Sequence, residues 1–192
     1  MPVTERHPWE PFAPQGAKIL FLGSFPPPRA RWSMEFYYPN ITNDFWRIMG
    51  LLFFGNKEHF IIKEEKRFKE QEIKEFLTDK KIALFDTSTE VRRLKENASD
   101  KFLETVTPTD LHALTASMPH CTAIAATGQK AAEAVAAAFG CEVPPIGTAI
   151  RIRTATRELN FHRLPSTSRA YPLAVEKKAE YYKQALACED IL

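Results

Sequence analysis

Three short, almost wholly apolar runs constrain this chain most: Lys18-Ile19-Leu20-Phe21-Leu22, Lys81-Ile82-Ala83-Leu84-Phe85-Asp86 and Thr122-Ala123-Ile124-Ala125-Ala126-Thr127. Runs of this length without polar alternation read as strands buried on both faces, as in parallel sheets. Each is followed by helical patterning. Bulky residues recur at helical spacing over 45–52, and 107–110 (Thr-Pro-Thr-Asp) resembles a capping box for a helix reaching about Ser117. Residues 131–139 read as an alanine-rich helix closed by Gly140, and 175–186 as a final helix. One or two further strands are expected over 150–153 and 159–164. The alternation predicts an α/β fold: a three-layer sandwich with a central, mostly parallel sheet and helices on both faces. A chain of 192 residues, 44% of them hydrophobic, can bury one full core, so a single domain over 1–192 is expected.

Composition narrows the function classes. No apolar run is long enough to span a bilayer, and the first seven residues lack a signal-peptide pattern, so an intracellular, cytoplasmic protein without a membrane partner is expected. The three widely spaced cysteines, Cys121, Cys141 and Cys188, fit reduced thiols better than a disulfide framework or a metal site, so no metal and no cofactor are expected. The net charge is only +2, but it is unevenly placed. Residues 57–80 mix both signs densely and read as a helix with a solvated face. Residues 147–172 carry five arginines (Arg151, Arg153, Arg157, Arg163, Arg169) against one acid, Glu158, which predicts a positive strip.

In open α/β sheets, sites lie outside the carboxyl ends of the strands. That rule selects two loops. The first, over 23–46, is a strand-to-helix connection of about twenty residues, long enough to be functional rather than merely connecting. It is rich in aromatics and holds Asn40 and Asn43. The second, Pro165-Ser166-Thr167-Ser168-Arg169, follows the last strand inside the basic segment. Taken alone, Asn43 reads as a helix cap as readily as a catalytic amide, Tyr38 as core as readily as a binding platform, and His162 as a solvent-facing strand residue as readily as a base or ligand.

At these residues the chain resembles the uracil-DNA glycosylase superfamily, and within it the mismatch-specific and hypoxanthine-DNA glycosylase-like branches. The resemblance rests on the order of Gly23-Ser24-Phe25-Pro26, Tyr37-Tyr38, Asn43-Asp44-Phe45-Trp46 and Pro165-Ser166-Thr167-Ser168. It implies a monomeric enzyme acting on DNA that contains a deaminated base, uracil or hypoxanthine, and leaving an abasic site. Such chemistry needs an extruded nucleotide, a stacking platform and hydrogen-bond donors for the departing base. The resemblance assigns the catalytic amide to Asn43 and base binding to Gly23, Ser24, Phe25 and Tyr38. It assigns DNA contacts to Ser166, Thr167, Ser168 and Arg169, with Arg169 filling the gap left in the stack. The chain departs from the mismatch-specific pattern at Phe25, where that branch has a water-orienting asparagine. It also has Leu164 where other branches have His or Asn before Pro-Ser. Neither Glu35 nor Asp44 stands out as a general base. Two alternatives remain open at this point: a catalytically silent nucleic-acid-binding module and a small-molecule α/β enzyme. Against the latter, the chain has no phosphate loop and no Gly-x-Gly-x-x-Gly fingerprint.

Overall fold

The computed structural model describes residues 3–95 and 100–192. The elements run β1 (Thr4–Arg6), β2 (Ile19–Gly23), α1 (Phe45–Phe54), β3 (Ile61–Ile62), β4 (Arg67–Phe68), α2 (Glu70–Lys80), β5 (Ile82–Asp86), β6 (Ser88–Arg93), β7 (Leu103–Pro108), α3 (Leu111–Ala116), β8 (Ala123–Thr127), α4 (Gln129–Phe139), β9 (Ala149–Arg153), β10 (Glu158–Leu164) and α5 (Val175–Cys188). The three apolar runs are the three strands β5, β2 and β8, adjacent in a five-stranded sheet of order β5-β2-β8-β10-β9. All neighbours pair in parallel except β10 and β9, which are antiparallel. Successive strand residues point to opposite faces, and Ile19, Leu20, Phe21 and Leu22 are all fully buried, so both faces of the sheet are covered. Phe21 meets Phe45 of α1 and Tyr182 of α5, which fixes where those two helices lie.

The strand order places the chain's reversal at the site. From β2 the chain moves to β5 on one side, then crosses to β8 on the other. The carboxyl ends of β5, β2, β8 and β10 therefore bring Asp86, Gly23, Thr127 and the loop after Leu164 to one edge.

Three expectations are corrected. Residues 57–80 are not one helix: β3 and β4 form a hairpin, with Ile61 opposite Phe68, and only Glu70–Lys80 is helical. The charged residues at 63–66 form the turn, where Lys66 adopts φ +50°, and Phe60 and Phe68 are buried behind it. The strand β5 is followed not by a helix but by β6 and β7, which with β1 make a separate antiparallel sheet of order β1-β6-β7. Thr107 and Pro108 belong to β7, and Asp110 caps α3 by accepting a hydrogen bond from the Ala113 N–H at 2.9 Å.

Candidate active site

The long loop after β2 is held in place by aromatic side chains and by arginines that reach it from neighbouring elements. Trp32 Nε1 donates to Pro27 O (2.7 Å), Trp46 Nε1 to Tyr37 O (3.0 Å) and Tyr37 Oη to Glu10 O (2.7 Å). Arg47 donates to the carbonyls of Ile41 and Asn43, and Arg93 reaches from β6 to the carbonyl of Pro26. All of these but the bond to Glu10 satisfy a carbonyl of the loop that would otherwise need water, so the loop can be both long and ordered.

This loop and the one after β10 enclose a cleft of about 730 Å³. All nine residues assigned roles from the sequence line it: Gly23, Ser24, Phe25, Tyr38, Asn43, Ser166, Thr167, Ser168 and Arg169. Asp86, Thr127, Asn40, Thr42 and Arg31 line it as well and were not selected from the sequence. Asp86 and Thr127 could have been, because each closes an apolar run at a strand's carboxyl end just as Gly23 follows one.

Asn43 stands at the start of α1, where its Oδ1 accepts a hydrogen bond from the Phe45 N–H at 2.9 Å. Asn43 is not itself the N-cap, which is Asp44, but the residue before it, and it meets the first N–H of α1 with its oxygen only; the amide Nδ2 has no protein partner among the described residues. Tyr38 stacks one ring face on Phe45, with centroids 4.0 Å apart and planes within 7°. Its hydroxyl is 3.0 Å from Thr127 Oγ1. Burial of the phenol, with the charge of Asp86 acting in the same direction, keeps it far above its ordinary titration range despite the opposing bond to Thr127. Tyr38 adopts φ +53°, a left-handed conformation that costs a side-chain-bearing residue on the order of 1 kcal/mol and is concentrated at functional sites. Phe45 and Trp46 are core residues.

Gly23 has a steric reason to be glycine. A Cβ there would lie 2.6 Å from Asp86 Oδ1 and 3.5 Å from Tyr38 Oη. Asp86 in turn accepts a hydrogen bond from His7 Nε2 at 2.8 Å, with both side chains buried. Phe25 packs its ring against His7 and lies under the Arg93 guanidinium. Leu164, where other branches by resemblance have His or Asn, is buried.

The second loop is bolted to the first. The Asp44 N–H donates to Thr167 O at 2.8 Å. The Asp44 carboxylate, 1% exposed, accepts from Lys178 Nζ at 2.8 Å and from Arg169 Nε at 3.2 Å. Lys178, itself fully buried, also donates to Ser168 O at 2.8 Å. Asp44 is therefore a structural anion rather than a base, and Glu35 pairs with Arg29 on the exposed surface. Of the four residues assigned to DNA contact, Thr167 is buried, Ser166 is half-buried, and Ser168 and Arg169 are exposed. The Ser166 and Ser168 hydroxyls accept from the backbone N–H groups of Ser168 and Ala170.

The expected positive strip is not continuous. Arg157 is spent internally, donating to the carbonyls of Thr115, Met118 and Cys121 behind α3, and Arg163 binds Pro144 O and the Gln129 side chain. Arg151 and Arg153 lie on the edge strand β9 beside Glu158. Only Arg169 and Arg31 bring positive charge to the cleft lining, among the described residues.

Away from the cleft, His162 is buried rather than solvent-facing, and its Nε2 donates to Glu189 Oε1 at 2.8 Å. His162, Cys188 and Glu189 place ligand-type atoms within 4.8 Å of one another. Thr122 Oγ1 and Asn160 Nδ2 also donate to the Glu189 carboxylate, at 2.6 and 2.7 Å, so the protein already supplies its partners. Burial alone would raise that carboxyl, but the three hydrogen bonds outweigh it and hold it below its ordinary range. Burial pushes the Cys121 thiol up to about 11, well away from reactive thiolate.

No helix among the described residues is long and apolar enough to cross a membrane. Searches against protein-family models and against curated proteins return no match. Among solved structures, the chain is similar to the solution NMR structure of a "putative Uracil DNA glycosylase" from Methanosarcina acetivorans, with a TM-score of 0.60, 22% sequence identity and 96% of each chain covered. At that identity the similarity shows a shared fold, and the cleft at its strand ends is where the chemistry of this chain has to be sought.

Proposed function

We propose that the protein is a monofunctional DNA glycosylase that flips a deaminated base, uracil or hypoxanthine, into the cleft and hydrolyses its N-glycosidic bond. The observation that carries this reading is the pairing of an unspent amide donor, Asn43 Nδ2, with an aromatic platform, Tyr38, in one cleft at the strand ends. The fold shared with a structure described as that of a glycosylase supports it, and the reading of the architecture as a three-layer sandwich with helices on both faces of the sheet goes with it.

In this reading the base stacks on Tyr38, an interaction typically worth about 1–3 kcal/mol. Asn43 donates to the base oxygen, where negative charge grows as the bond to the sugar breaks and the sugar becomes oxocarbenium-like. One such preorganised donor is typically worth about 3 kcal/mol of barrier. Gly23, Ser24 and Phe25 complete the wall. Ser166, Thr167 and Ser168 bring the second loop to the backbone, and Arg169 leaves Asp44 to fill the space vacated in the stack. The protein works as a monomer on DNA inside the cell, with no metal and no cofactor. Among the described residues no lysine lines the cleft to form a Schiff base, so the abasic strand is expected to stay intact.

Phe25 favours one second reading. Its ring is packed against His7 where a related branch carries the water-orienting amide, which fits a catalytically silent DNA-binding protein. Incubation with duplexes holding uracil, hypoxanthine or xanthine separates the two. Alkali-labile sites at one or more of these bases are expected. Binding without any cleavage would favour the silent module, and nicking without alkali, or loss of activity in chelator, would contradict a metal-free monofunctional enzyme.

A further inference from the structure

The main sheet has two edges, and the chain treats them differently. At the β5 edge the chain pairs with itself: the Phe12 N–H donates to Leu84 O at 3.0 Å, and the Leu84 N–H to Phe12 O at 2.9 Å. At the β9 edge nothing among the described residues does the same. Antiparallel strands turn alternate residues toward each neighbour. The Arg163 N–H donates to Thr148 O at 3.0 Å and the Thr154 N–H to Arg157 O at 2.8 Å, so in this register the even-numbered residues of β9 face β10. Ala149, Arg151 and Arg153 therefore turn their N–H and C=O groups outward, and none of these groups has a hydrogen-bond partner among the described residues.

The side chains on this edge are as open as the backbone. Ala149 is exposed, and Arg151 and Arg153 leave 73% and 83% of their side chains in solvent. Both guanidiniums share one acid, Glu158, at 3.8 and 3.5 Å, longer than the about 2.8 Å of a charged hydrogen bond. The edge thus keeps a positive surplus. Side chains alternate along a strand, so the two arginines stand on one face while Ile152 between them is buried.

A strand edge with open hydrogen-bond groups is a template for another strand. A second copy fits poorly: with β9 paired antiparallel to itself about Arg151, that arginine meets its own copy, and like charges directly opposite repel. Nucleic acid fits poorly too, because its phosphates only accept hydrogen bonds and leave the outward carbonyls unmet. A strand with carboxylates at alternate positions meets both the backbone and the arginines. We propose that the free edge of β9 is a docking site for an extended acidic segment of a partner protein, which adds to the five-stranded sheet beside β9. No residue of β9 lines the cleft, so this surface is independent of the glycosylase reading.

The test follows the isotope-labelled full chain by NMR with a capped hexapeptide of alternating glutamate and threonine, and with the lysine–threonine peptide as its charge-reversed control. Saturating acidic peptide is expected to slow hydrogen exchange at the Arg151 and Arg153 amides at least tenfold, and to leave that at Ile150 and Ile152, already bonded to β10, within twofold. The lysine peptide should bind at least tenfold more weakly. Arg151→Glu with Arg153→Glu should reverse that preference. Arg151→Gln with Arg153→Gln, which brings no repulsion toward Glu158, should reduce it to threefold or less with the melting temperature unchanged. Exchange at Arg151 and Arg153 that neither peptide alters at millimolar concentration, or a preference for the acidic peptide that survives the glutamine variant, overturns the proposal. So does a short DNA single strand that protects the same amides more strongly than the acidic peptide at equal salt, which makes the edge a nucleic-acid surface instead.

Discussion

Two carboxylates in this protein each take a hydrogen bond from a histidine at 2.8 Å, at opposite ends of the sheet, and they differ in what is left over. Glu189 lies near Thr122, at the amino end of β8, and Thr122, Asn160 and His162 together satisfy both of its oxygens. Asp86 lies at the carboxyl end of β5 with one oxygen bound to His7 and the other facing the cleft. The first arrangement ties α5 to the sheet. The second leaves one carboxylate oxygen at the cleft, with no hydrogen-bond partner in the protein among the described residues. The same pair of residue types thus has every carboxylate oxygen met where it ties elements together and one oxygen left open where it borders the cleft.

Asp44 extends the comparison, because it is an anion in the site region that follows the architectural pattern: buried, and met by Lys178 and Arg169. Lys178→Met should be the most damaging single change to stability, costing about 3–5 kcal/mol, because breaking a buried pair strands a charge. Denaturant unfolding measures it, and a loss below 1 kcal/mol would break the assignment of Asp44 to architecture. Arg169 is the exposed partner, with 58% of its side chain open to solvent, so Arg169→Ala should cost less than about 1 kcal/mol of stability. Its effect should fall on function: slower cleavage in duplexes than in single strands, where there is no stack to repair, while Tyr38→Ala slows both alike. Equal duplex-to-single-strand ratios for Arg169→Ala and wild type would leave Arg169 as a second strap on Asp44.

The Glu189 cluster makes a prediction about stability alone, and its sign is fixed. A carboxyl whose folded pKa lies below its ordinary value of 4.5 stabilises the fold above that pH, and the contribution is lost as pH falls through the depressed folded value. Glu189→Gln should remove about 1–3 kcal/mol near neutrality and flatten the decline in stability below about pH 4.5, as read from melting curves across pH. Cleavage rates should be untouched, since no atom of the cluster lines the cleft.

How far the molecule was legible in its sequence follows from the range of each signal. The strands β2, β5 and β8 were readable because complete burial writes itself as an unbroken apolar run. The two cleft loops were readable because they follow strands. The β3–β4 hairpin was not, because its strands are two residues each and the surrounding charges mimic a solvated helix. The fate of Arg157, three backbone carbonyls 36 to 42 residues away, leaves no local trace. His7 and Asp86 are 79 residues apart, and no local pattern could join them. Asn43 was legible as both cap and catalyst; its Oδ1 accepts from the Phe45 N–H, and the catalytic part belongs to the proposal, through Nδ2.

That division makes Asn43→Asp the most direct test of the central claim. Aspartate keeps the oxygen that accepts from the Phe45 N–H and removes the amide donor. Single-turnover cleavage of a uracil or hypoxanthine duplex should fall by on the order of a hundredfold or more, with the melting temperature essentially unchanged. Cleavage at the wild-type rate by Asn43→Asp would show that Asn43 serves only to meet the first N–H of α1 and would contradict its place at the centre of the chemistry.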